Sequence, residues 1–115
     1  MSRDEFLKIM KSEFFEGYSY ISGNEKGLLH CEVAAFRTWV EEQLILGKEW
    51  NCQKAFEFIE RCLKISDPEL KNALEISFIE DLALWQHEDK YRIIVKKRAP
   101  IMLRKKLIAI HEFWE

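Results

Sequence analysis

No stretch of this chain approaches the roughly 18 consecutive apolar residues that a membrane span requires. Nor is the opening Met1-Ser2-Arg3-Asp4-Glu5 followed by an apolar run of signal-peptide type. The sequence therefore reads as cytosolic. The three cysteines, Cys31, Cys52 and Cys62, are odd in number, lack any C-x-x-C spacing and sit inside helical apolar patterns. Buried free thiols are the expectation, rather than disulfides or a metal site. Glu-x-x-His pairs, His-Glu-x-x-His, a Gly-rich phosphate loop and a Gly-x-Ser-x-Gly elbow are all absent. With them go the usual signatures of a metal-dependent helical enzyme, a nucleotide-binding loop and a serine hydrolase. His30-Cys31-Glu32 sets three possible ligands in a row, but helical neighbours point about 100° apart and cannot close on one ion. No cofactor is expected. No repeat, linker or low-complexity tract divides the chain.

What is present suits one domain spanning residues 1–115: 48% of residues are apolar and 33% charged, the composition of an ordinary globule. Four Trp, eight Phe and three Tyr are many for this size. Most should be buried, and the surplus hints at a binding face.

Periodicity predicts helices throughout. Ser2 followed by Glu5 is a capping box, and Phe6, Ile9, Met10 and Phe14 recur at helical spacing, giving a helix over about 3–15. Gly17 to Gly27, with Tyr18 and Tyr20, reads as a loop whose tyrosines either serve as contacts or fold inward over the core. Leu29, Val33, Phe36, Val40 and Leu44 form one stripe that Gly47 ends. Cys52, Ala55, Phe56, Ile59 and Leu63 repeat the pattern from an N-cap at Asn51 to a stop before Ser66. Asp67 as N-cap with Pro68 at the first helical position starts a helix read as continuing to Trp85. Because that helix is apolar on most sides, it is expected at the centre of the bundle. Tyr91 to Arg98 fits either a short helix or a β-branched strand, and the helix is preferred. Leu103, Leu107, Ile110 and Trp114 form the last stripe, after Pro100. The fold class is all-α: a single-domain bundle of five to six helices.

Charge is unevenly placed although the net value is only −2, which argues against general affinity for nucleic acid. Residues 67–89 hold seven acids against Lys71, and residues 90–115 hold eight basic residues against Glu112 and Glu115. Either the two segments neutralise each other or one charged face meets a partner of opposite sign. On a helical wheel Asp81 falls at about 120°, between Leu70 and Leu74, inside the apolar face. Such a carboxylate should be buried and paired, with Arg98, Arg104 or the N–H groups near Pro100 as candidate partners. Glu80, Glu88 and Asp89 are better placed for solvent and cluster around Trp85. An aromatic anchor ringed by acids is the composition of a contact patch for a basic protein, although Trp85 at about 160° also fits the core.

Arg104 and His111 lie on one face of the last helix, a spacing similar to the Arg-x(4–6)-His signature of helical HEPN-type ribonucleases. Lys105 stands where that family usually has a small polar residue, and His111 beside Trp114 also fits the edge of a core.

The run Lys71-Asn72-Ala73-Leu74-Glu75-Ile76-Ser77-Phe78-Ile79-Glu80-Asp81-Leu82, then Arg98-Ala99-Pro100 and a final Phe113-Trp114, resembles a group of small bacterial all-helical proteins of uncharacterised-domain type. Several look like immunity proteins encoded beside polymorphic or contact-dependent growth-inhibition toxins. The likeness covers roughly the C-terminal half. It implies a non-enzymatic antidote that binds a cognate toxin domain, of nuclease type, and occludes its active site or substrate surface, with Glu75, Glu80, Trp85, Glu88 and Asp89 as candidate contacts; beside the ribonuclease, an adaptor or regulator that binds another protein without any toxin stays open as an alternative.

Overall fold

The computed structural model describes residues 1–23, 27–82 and 88–111, with Glu88 described by its backbone. Among these residues there are seven helices and no strand: α1 (Arg3–Glu13), α2 (Phe15–Tyr18), α3 (Leu29–Ile45), α4 (Glu49–Ile65), α5 (Pro68–Leu74, widening without a break into a π-helix over Glu75–Glu80), α6 (Glu88–Arg98) and α7 (Ile101–His111).

Local chemistry explains most of the boundaries. Ser2 and Glu5 close a reciprocal capping box at the head of α1. The chain breaks at Phe14 (φ −134°, ψ 53°), which turns its ring into the core, so the helix expected over 3–15 becomes α1 plus the single turn α2. α3 ends in a Schellman motif: Gly47 has φ +68°, the Lys48 N–H donates to Gln43 O (2.9 Å) and the Gly47 N–H to Leu44 O (3.1 Å). That tight turn launches α4 at Glu49 with Lys48 at the cap position, three residues before the expected cap. Asn51 is therefore not the cap; it lies in the first turn and its Nδ2 donates to the buried Gln43 Oε1 at 2.9 Å. Asp67 accepts from the Leu70 N–H at 2.9 Å with Pro68 behind it, as read from sequence. Residues 91–98 are helical, with Tyr91, Ile94 and Val95 buried.

α3 carries the core. It packs against α2, α4, α5 with its π extension, and α6. The ring of Phe36 meets those of Phe6, Phe14, Trp39, Phe58 and Phe78 at centroid distances of 5.2–6.5 Å. These rings reach from α1 through α3 and α4 to the π-helix, and the mix of edge-on and offset contacts suits their quadrupoles. The helix that begins at Asp67 packs against α3, α4 and α7 and is open along Glu69, Asn72, Ile76 and Glu80. Its helical residues end at Glu80 rather than Trp85, and Trp85 and Trp114 lie outside the described residues. Ile110, expected in the last apolar stripe, is 46% exposed.

One buried ion pair ties the N-terminus to this core. Glu32 is 2% exposed; Arg3 Nε donates to its Oε1 at 2.8 Å, Arg3 Nη2 to Oε2 at 2.7 Å, and the Gly27 N–H to Oε2 at 3.0 Å. Burial works against the charged form. The Arg3 hydrogen bonds, the Gly27 N–H and the Arg3 charge outweigh it, so the carboxyl is held below its ordinary value of 4.5.

Candidate partner-binding surface

Asp81 is where sequence and structure part most clearly. Its side chain is 59% exposed, not buried, and its Oδ2 lies 3.5 Å from Nη1 of Arg37 on α3, not beside Arg98, Arg104 or Pro100. The cause is the π-helix. Its i→i+5 turns hold more residues than α turns, so each residue advances less than the 100° assumed by the wheel. By Asp81 the accumulated lag has moved the carboxylate off the apolar face, and the neighbouring Leu82 is buried instead.

Two basic side chains close the end of this helix. Arg37 Nη1 donates to Ser77 O at 2.9 Å, and His111 Nε2 lies 2.8 Å from Ile79 O. Both carbonyls belong to the last turn, where four acceptors lack intrahelical partners and the helix dipole is negative. His30 Nδ1 adds a bond to the buried Ser77 hydroxyl at 2.8 Å. Arg104 Nη1 donates to Lys96 O at 2.9 Å. Arg104 and His111 thus each hold a main-chain carbonyl, on different helices.

The predicted acidic contacts are distributed as follows. Glu80 and Ile76 (41% exposed) are exposed and Glu75 half-buried on the π-helix; Glu69 and Asn72 continue the outward strip along α5. Asp89 is exposed at the head of α6, 3.7 Å from Arg92. Trp85 and the Glu88 side chain lie outside the described residues. Asp89 with Arg92 joins the acidic and basic segments, but Lys97 and Arg98 both go to Glu49 on α4, at 3.2 and 3.0 Å. Those two cations hold the Glu49 carboxyl below its ordinary value.

Of the stretch expected as a loop, Gly17 and Tyr18 belong to α2, and the two tyrosines fold inward. Tyr18 and Tyr20 pack partly buried against the core, and the Tyr20 hydroxyl donates to Glu42 on α3. That hydrogen bond, with burial and the charges of Glu42 and Glu16, raises the phenol to about 12.

A second surface was not foreseen from sequence. Between the α1–α2 corner and α4 lies a hollow of about 210 Å³ lined by Phe14, Trp39, Glu13, Glu16, Asn51 and Lys54, with the exposed Phe15 on its lip. It runs into a second hollow of about 340 Å³ that shares Glu13, Phe14 and Lys54 and adds Glu57, Phe58 and Arg61. Trp39 Nε1 donates to Glu16 Oε1 at 2.8 Å. Lys54 Nζ sits 5.9 Å from the Phe14 ring centroid, and the Arg61 guanidinium 5.4 Å from that of Phe58. Gly17 is part of the construction: a Cβ there would stand 3.3 Å from both the Phe36 and Trp39 rings. The signal missed in the sequence was the doublet Phe14-Phe15, one ring buried and the next 64% exposed, facing the Asn51, Lys54, Phe58 and Arg61 side of α4.

Among the described residues no group of three or more His, Cys, Asp or Glu is placed to hold a metal ion, and no helix is long and apolar enough to cross a membrane. The three thiols are free: Cys52 and Cys62 are buried, whereas Cys31 is half-buried. Burial pushes both inner thiols up to about 12. Titration with a thiol reagent at pH 8 should therefore give one fast-reacting group, Cys31, with the other two appearing on denaturation. Three fast groups in the native protein would contradict this packing.

The fold and these surfaces define a small all-α protein whose described exterior offers charge and aromatic contacts. The chain belongs to the family whose model matches residues 3–115, a domain of unknown function (DUF7674). No curated protein and no solved structure matches it.

Proposed function

We propose that this chain is an immunity-type antidote, a non-enzymatic protein that binds a cognate bacterial toxin domain and covers its active site or substrate surface. The observation that carries the reading is the outward strip of α5 and its π extension. There Glu69, Glu80 and Asp81 stand exposed around the half-exposed Ile76, on a helix whose other faces are packed against α3, α4 and α7. An apolar centre with carboxylates around it suits a basic partner such as a nuclease domain, whose phosphate-binding groups an acidic strip imitates; opposite charge also speeds association. Glu75, Glu80, Glu88 and Asp89, with Trp85 as the anchor, are the proposed contacts. The engagement of Arg104 and His111 with main-chain carbonyls supports a structural role for both over ribonuclease chemistry.

The test is association kinetics with the product of the neighbouring gene, which this reading requires to be a toxin. Charge reversal at Glu80 and Glu88 should lower the association rate at least tenfold at low salt, with the helical circular dichroism unchanged. Unaltered affinity at moderate salt removes the acidic strip from the account. RNA cleavage by the purified chain that disappears in His111→Ala would replace the antidote with an enzyme.

A further inference from the structure

We infer that the groove between the α1–α2 corner and α4 is a docking site for an arginine-bearing apolar segment of a partner protein. The site rests on the reading that the chain works by binding a protein, and not on that protein being a toxin.

Three features of the groove point to this occupant. First, its floor is aromatic: Phe14, Trp39 and Phe58 are 3–5% exposed and held in place by the Phe36 cluster. Ring faces of this kind attract cations, guanidinium above all. The groove already uses this affinity on the protein's own Lys54 and Arg61, which lie over the Phe14 and Phe58 rings. Second, the α1–α2 wall supplies carboxylates at the same opening. Glu16 is oriented by the Trp39 indole N–H, and Glu13 is exposed on the same wall. A planar guanidinium stacked on the floor would find carboxylate acceptors beside it, whereas an ammonium would lose the stacking.

Third, Phe15, which lines the opening, and Trp50, placed next to it by the spacing of α4, are the most exposed aromatics among the described residues. Phe15 on α2 and Trp50 on α4 are each 64% exposed. Trp50 lies one helical turn before Lys54 and so on the same side of α4. Rigid aromatics at the edge of a concave site are the usual anchors of a protein interface. Phe15 and Trp50 would cover the apolar neighbours of the docked arginine and keep water from it. Lys54 then acts as an internal competitor: its flexible stem lets the ammonium swing out when a stronger cation takes its place.

The probe is a synthetic pentapeptide, acetyl-Leu-Arg-Leu-Arg-Leu-amide, titrated into 15N-labelled protein. Its citrulline counterpart has the same shape without the charge, and its glutamate counterpart has the opposite charge. Saturable shifts are expected at the Trp39 and Trp50 indole N–H signals and the Phe15 amide. Binding should be at least tenfold weaker for the citrulline peptide and undetectable for the glutamate one. Glu13→Gln with Phe15→Ser, both at exposed positions, should abolish the response while the dichroism spectrum is kept. Lys54→Ala should strengthen it severalfold. The inference is overturned if no saturable shift occurs at millimolar peptide, if the citrulline peptide binds equally well, if Lys54→Ala weakens binding, or if the shifts centre on Glu69 to Asp81. Peptide docking without toxin neutralisation would leave this site standing and remove the antidote reading; neutralisation by a protein whose groove takes no arginine peptide would do the reverse.

Discussion

Phe36→Ala is expected to destabilise the protein by ~3–5 kcal/mol, which for a domain of this size lowers the melting temperature by roughly 10–20 °C. Phe36 has no exposed surface and is the ring on which five others converge. Removing it deletes buried apolar area and leaves a cavity. The walls cannot collapse inward without moving α3 relative to α1, α4 and the π-helix together, since those elements meet through this ring. Phe36→Leu keeps most of the volume and should cost only ~1–1.5 kcal/mol. Denaturant unfolding of both variants checks the ordering. Equal losses would mean that Phe36 is not the keystone of the packing.

The second large effect concerns Arg3 and Glu32, and it is asymmetric. Arg3→Ala should cost ~2–3 kcal/mol, because it strands a carboxylate that is 2% exposed; this falls somewhat below the usual cost of a broken buried pair because the Arg3 side chain is itself 35% exposed. Glu32→Gln should cost less, since the freed Arg3 can return to water while the amide oxygen still accepts from Gly27. The pH dependence follows from the direction of the shift. The Glu32 carboxyl titrates lower in the folded chain than its ordinary 4.5, so its stabilisation is complete above that value and is lost as pH falls through the folded pKa. The gap between native protein and Glu32→Gln should therefore close in acid. Urea midpoints measured at pH 7 and pH 3.5 check both statements. A gap that widened in acid would reverse the assignment.

How much of this was legible in the sequence depended on how local the cause was. The Ser2–Glu5 box, the Asp67–Pro68 start and Gly47 as terminator act within a few residues, and their positions could be read directly. The all-α class followed from apolar periodicity. Where the periodicity itself changed, the reading failed: nothing in Glu75-Ile76-Ser77-Phe78-Ile79-Glu80 announces a π-helix, and the 100° wheel placed Asp81 on the wrong face. Widening lets Ser77 and Ile79 offer carbonyls to Arg37 and His111, partners 40 and 32 residues away in sequence. Long separation hid the other features too. Glu32 was read only as one of three adjacent possible ligands, because its partner Arg3 lies 29 residues off, and the groove joins α1 and α2 to α4 across the core. Exposed strip acids such as Glu80 were easier, since a charge outside an apolar stripe needs no partner to explain it.

The claim on which the functional account turns is that the surface of this chain, rather than a reactive group, does its work. It is tested most directly by isothermal titration of the purified chain with the purified product of the neighbouring gene, which the antidote reading requires to be a toxin, with toxicity read in the same samples. The account predicts a one-to-one complex of nanomolar or tighter affinity whose formation extinguishes the activity in step with occupancy. Failure to associate, or activity unaffected at full occupancy, would contradict it.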